Sequence, residues 1–169
     1  MNPEGKDVGR FYCNFKVHKP HTHGRAPPER PITSQSGSMC ENIGGYIDHH
    51  IKHVGKQHES YLQDTQDFLR TIEIINSGQK LKKNTALLTI DATALFTNII
   101  HEEGLETLKI ELEKRKHPSV PTEFLLKLME LLLRNNIFEF HDGYYKQNIG
   151  AAMGVKPIPD YANIFMASL

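Results

Sequence analysis

At 169 residues the chain is long enough to bury one hydrophobic core, and its twenty basic and twenty acidic side chains cancel, so no global field marks an anionic partner. No apolar run reaches the ~20 residues of a membrane-spanning helix, and the N-terminal Met-Asn-Pro-Glu-Gly-Lys lacks the apolar core of a signal peptide. Two cysteines, Cys13 and Cys40, make no disulfide framework, so the reading is an intracellular chain, nuclear or cytoplasmic, without a membrane partner.

In chain order, Phe11 to His18 alternates strictly, with Phe11, Cys13, Phe15 and Val17 on one face and Lys16 and His18 facing out. That pattern predicts a half-buried strand. A loop rich in Pro, His and Gly follows, and Arg30-Pro31-Ile32-Thr33 resumes an extended run, which predicts a hairpin with a basic tip. Asn42 to Val54 reads as helix despite Gly44 and Gly45. Thr65 to Ile75 reads as a second helix, capped by Asp64 and ended by Gly78, with Phe68, Leu69, Ile72 and Ile75 inward. Thr85 to Asp91 is a short apolar run closed by an acid, as in a buried strand.

Two amphipathic helices come next. One, over Glu102 to Lys116, turns Leu105, Leu108 and Leu112 inward; the other, over Thr122 to Asn135, turns Phe124, Leu125, Leu128 and Leu132 inward. Ile137 to Gln147 predicts a hairpin with Asp142-Gly143 in its turn, and a last helix starts at Asp160, whose charge suits the first turn. The mixed order of elements predicts an α+β fold.

Local charge and metal-ligand spacing add little. Residues 1–60 carry eight Lys or Arg against six acids, with seven of the ten histidines, a mild basic bias. Cys13, His18, His21, His23 and Cys40 match no standard zinc spacing.

An isolated acid after a strand, such as Asp91, is ordinarily a cap on the following turn, though an acid there can also hold Mg²⁺. The surrounding residues sharpen the choice. Leu87-Leu88-Thr89-Ile90-Asp91-Ala92-Thr93-Ala94-Leu95-Phe96-Thr97-Asn98-Ile99-Ile100-His101-Glu102-Glu103-Gly104 resembles the first catalytic palm motif of Penelope-like reverse transcriptases. Gly150-Ala151-Ala152-Met153-Gly154-Val155-Lys156-Pro157-Ile158-Pro159-Asp160-Tyr161-Ala162-Asn163-Ile164-Phe165-Met166 is similar to their second palm motif. Phe15 to Pro20 and Arg30-Pro31-Ile32 resemble their two fingers motifs, in the same order.

The resemblance implies an RNA-directed DNA polymerase lineage, with an RNA template, a DNA primer and a deoxynucleoside triphosphate as partners and Mg²⁺ as cofactor. It implies the fingers and partial palm of a right-hand polymerase, with an incomplete antiparallel palm sheet packed on helices. Residues 1–80 would be a fingers-like region and 81–169 a partial palm carrying a fingers insertion, without thumb or last palm motif. Asp91 would be the catalytic, metal-binding carboxylate, joined by the backbone carbonyl of Ala92. Phe96 would lie beneath the incoming sugar and exclude a 2′-hydroxyl. Arg30 and Lys16 would neutralise the triphosphate, and Met153 and Gly154 would lie close to the new base pair. Pro159 and Asn163 would shape the helix behind it.

Some residues depart from the pattern. Ala151 and Val155 stand where hydroxyl residues are usual, Pro157 and Ile158 replace Met-Ala, Asp160 replaces a small polar residue, and Ile100 replaces a proline. The family's Asp-Asp hairpin has no counterpart before Leu169. Two metals about 3.5–4 Å apart need more than one carboxylate, so the expectation is a chain without polymerase activity by itself. A non-catalytic nucleic-acid-binding module and a retroelement remnant without a retained role are the alternatives.

Overall fold

The computed structural model describes residues 8–19, 24–78, 84–86 and 88–168. The apolar stripes of four helices make the core. Helix α1 (Cys40–Ile51) supplies Ile47 and Ile51, and α2 (Thr65–Gly78) supplies nothing. After the single turn α3 (Leu95–Asn98), α4 (His101–Glu113) adds Leu108 and Leu112, and α5 (Thr122–Arg134) adds Leu125, Met129, Leu132 and Leu133. Helix α6 (Ile158–Ala167) closes the bundle with Ile158, Tyr161, Ala162 and Ile164. Gly44 of α1 lies against this packing, where a Cβ would make ordinary contact with Pro157 and Leu132 at 3.4 and 3.5 Å.

Beside the bundle lies a mixed four-stranded sheet in the order β2-β1-β3-β4. Strand β1 (Gly9–Phe15) pairs antiparallel with β2 (Glu29–Ser34), Phe11 opposite Thr33 and Cys13 opposite Pro31. It pairs in parallel with β3 (Ile137–Phe140), which forms an antiparallel hairpin with β4 (Gly143–Lys146). No strand residue belongs to the buried apolar cluster. A line of buried or half-buried amides joins the sheet to the segment beyond it. Gln35 Nε2 donates to Asn136 Oδ1, Asn136 Nδ2 to Gln147 Oε1 at 2.9 Å, and Gln147 Nε2 to the Ile149 carbonyl at 2.9 Å.

The α+β class holds, and six finer expectations change, the first being that β1 ends at Phe15 and leaves Phe15 and Val17 exposed. The sheet is mixed and stands beside the helices rather than packing on them; β1 and β3 are parallel because a long helical crossover joins them, as parallel pairing requires. The described residues of the predicted strand over Thr85 to Asp91 belong to none of the four strands, and Leu88 and Ile90 are 79% and 82% exposed. Apolar character signals burial only where another element lies alongside. The same holds for α2, where Phe68, Leu69 and Ile75 are exposed and nothing is buried.

In α5 the buried face runs through Leu125, Met129, Leu132 and Leu133, leaving Phe124 exposed. The β3–β4 turn is His141-Asp142, with the left-handed position taken by His141 (φ 52°), while Gly143 opens β4. Leu87, Pro20, His21 and His23 lie outside the described residues.

Candidate functional site

Three separate pieces of chain are brought together by identifiable local chemistry. The first is the loop end of the β1–β2 hairpin, where the Lys16 amide donates to the Pro28 carbonyl at 2.7 Å and so sets Lys16 near Glu29 and Arg30. The second is the turn after Asp91. Ala94 sits in the left-handed region (φ 52°, ψ 40°), a conformation that costs an alanine about 1–2 kcal/mol. Neighbours hold it there: the Thr97 amide and hydroxyl both donate to the Ala94 carbonyl, at 3.1 and 3.0 Å, and Asn98 Nδ2 donates to the Thr93 carbonyl at 3.2 Å. Leu95 and Phe96 lean half-buried against the core.

The third piece, Gly150 to Gly154, threads between the other two. The Ala151 amide donates to the Phe96 carbonyl at 2.7 Å, and a ring nitrogen of buried His101 meets the Gly150 carbonyl at 2.8 Å. Gly150 has φ +75°, and a Cβ there would lie 2.6 Å from Thr97 Cα. Farther on, the Thr33 amide donates to the Met153 carbonyl at 2.7 Å, stitching the segment to β2. Gly154, at φ +107°, passes so near β2 that a Cβ would sit 2.7 Å from the Thr33 carbonyl oxygen. Close approach to a strand is therefore sufficient reason for glycine at this position.

These pieces enclose an open cleft of about 800 Å³. Lys16, Arg30, Asp91, Ala92, Phe96, Met153 and Gly154 all line it, together with Glu29, Pro31, Thr93, Thr97, Ile158 and Pro159. Every residue singled out from the sequence for metal or nucleotide contact thus borders one space. Asn163 does not; it borders a separate groove with His58 and Met166.

The most informative member that the sequence gave no reason to pick is Glu29. It faces Cys13, whose thiol is pushed up first by desolvation and then by the hydrogen bond and charge of Glu29. An acid inside a basic hairpin carries no signal of where it points. Ala151, Val155 and Pro157 are buried, so apolar side chains there fill the core.

The cleft's donor set is hard oxygen. Asp91 is an exposed carboxylate, and it and Ala92 both line the cleft. Magnesium takes one or two carboxylates plus substrate phosphates and water, so these residues fit an ion that arrives on a phosphate chain. Among the described residues no three His, Cys, Asp or Glu side chains gather into a preformed metal site. Cys13 and Cys40 are both free thiols. Compared with models of known families and with curated proteins, the chain has no match.

Proposed function

We propose that this chain is the nucleotide-receiving part of a reverse transcriptase of the Penelope-like lineage, comprising fingers and the front of the palm. The observation that carries the reading is the shared cleft. Two cations from the hairpin, Lys16 and Arg30, line the same space of about 800 Å³ as Asp91 and Phe96. A triphosphate between them gains the fixed positive charge that phosphoryl transfer uses to hold its oxygens. Phe96, backed by the core and pinned through its carbonyl to Ala151, forms a rigid floor whose bulk disfavours a sugar 2′-hydroxyl. Met153 and Gly154 form the wall against which a base pair would lie.

Asp91 and the Ala92 carbonyl would hold magnesium, which when bound neutralises phosphate charge and aligns the reacting oxygens. Catalysis of nucleotidyl transfer needs carboxylates beyond Asp91, so binding is the proper readout. Calorimetric titration with Mg·dTTP should show metal-dependent binding weakened about tenfold or more by Arg30→Ala and by Asp91→Asn, the usual loss for one charged hydrogen-bond partner. Phe96→Ala should narrow the preference over Mg·UTP. Binding that ignores all three substitutions, or no binding at all, rejects the reading and leaves a non-catalytic module or a remnant.

A further inference from the structure

Helix α5 turns one apolar stripe to the core and a second toward solvent. Phe124, Leu128 and Leu131 follow one another a turn apart on the same side, and Phe124 and Leu131 are 47% and 46% exposed. Helix α1 adds to this surface. It runs antiparallel to α5, with Gly44 against Leu132 and Tyr46 against Phe124, their rings meeting edge-on with centroids 6.2 Å apart. Tyr46 and, two turns earlier, Met39 are exposed as well. Large apolar side chains from two core helices thus form one outward patch, and such patches mark places where another molecule binds.

The charges beside the stripe indicate what that molecule is. Glu123, Lys127, Glu130 and Arg134 run along one flank of α5, alternating acid and base. This is the flank toward α4, to which Arg134 is tied through Glu102 at 2.9 Å. Reversed end for end, the alternation is its own complement. Consider a second α5 laid antiparallel, with a two-fold axis passing between Leu128 and Met129. Glu123 then meets the partner's Arg134, Lys127 meets the partner's Glu130, and symmetry repeats both pairs. The same register interleaves the stripes, Phe124, Leu128 and Leu131 of one copy alternating along the seam with those of the other. Within each helix Arg134 Nε is bonded to Glu130 at 2.8 Å, yet both side chains stay about half exposed and open to a partner. An unrelated apolar helix would meet the stripe but not this order of charges.

We infer that the α1–α5 face is a self-association surface, covered in solution by the same face of a second copy of this chain. The inference goes beyond the nucleotide-cleft reading and does not rest on it. Sedimentation equilibrium of the full chain over a concentration series should show a reversible monomer–dimer equilibrium. Phe124→Glu/Leu131→Glu should weaken the dimer about thirtyfold or more, as charging the centre of an interface does. Lys127→Glu and Glu130→Lys should each weaken it about tenfold, since each sets like charges together at two symmetric places. Mixed in equal amounts, these two single variants become complementary and should associate about as tightly as the parent chain. The substituted side chains are exposed or half exposed, so each variant should keep a cooperative circular-dichroism melt.

A chain that stays monomeric throughout the series overturns the inference and leaves the patch to a different polypeptide. So does a dimer that survives Phe124→Glu/Leu131→Glu, because it would run through another surface. A mixture that associates no better than its two components overturns the antiparallel α5 pairing on which the choice of a second copy stands.

Discussion

Tyr161 shows how much a single buried group can say. It is 1% exposed in the middle of α6, its hydroxyl has no hydrogen-bond partner among the described residues, and it lies against Gly104 of α4, where no side chain intervenes. Burial first, and the nearby Glu102 charge second, push its phenol well above the ordinary value. The unfolded chain loses this proton near pH 10 while the folded chain keeps it. The stability this group contributes is therefore complete below about pH 10 and falls as pH rises further. An unpaired buried hydroxyl costs about 1–3 kcal/mol, so Tyr161→Phe should raise stability by about 1 kcal/mol at pH 7, or ~2–4 °C in melting temperature. Circular-dichroism melts should also show a shallower alkaline loss than in the parent chain. A lower melting temperature would mean that the hydroxyl is satisfied after all.

Elements differ sharply in what their patterns were worth. Helix periodicity and caps located α1, α2, α4, α5 and α6 to within about two residues at most ends, because those signals are local. Asp64 Oδ1 accepts from the Asp67 amide at 2.9 Å, as a cap should, and α2 ends at Gly78. What periodicity cannot supply is a neighbour. Helix α2 has an apolar stripe and buries none of it, whereas the similar stripe of α5 buries four residues. Serine substitution at Phe68 and Ile75 together should therefore move the urea midpoint by no more than exposed sites do, about 0.5 kcal/mol each. Leu125→Ala should cost about 2–5 kcal/mol. A large loss from the α2 pair would show that this helix packs against something in solution.

Strand pairing was hidden for the same reason: alternation in β1 fixes which face is apolar but not that β3, more than a hundred residues later, lies beside it. Lys16, Arg30, Asp91, Ala92, Phe96, Met153 and Gly154, picked from the sequence through a resemblance of motifs, line one cavity. The turn at Ala94 was not legible, since alanine has no bias toward the left-handed conformation that the Thr97 and Asn98 bonds impose.

At the scale of the whole molecule the cleft spans two unlike parts. Its floor, Phe96 and Ile158, rests on the helical core, while Lys16 and Arg30 ride on a sheet that adds no residue to that core. Burial makes the helical part the more stable, since its interior includes at least ten fully or nearly fully buried large side chains. The sheet relies on its own ladder, the Gln35–Asn136–Gln147 amides and the Thr33–Met153 stitch. Opening free energies in one domain range from near zero up to the global value, and here they should follow that division. Native-state hydrogen exchange should find the amides of α4, α5 and α6 slowest, at the global stability. Amides of β1 to β4 and of α2 should exchange through cheaper openings, with the Thr33 amide grouped with the sheet. If the strands instead exchange only with the helices, both parts unfold as one, and the grip of Lys16 and Arg30 on the cleft is as rigid as its floor.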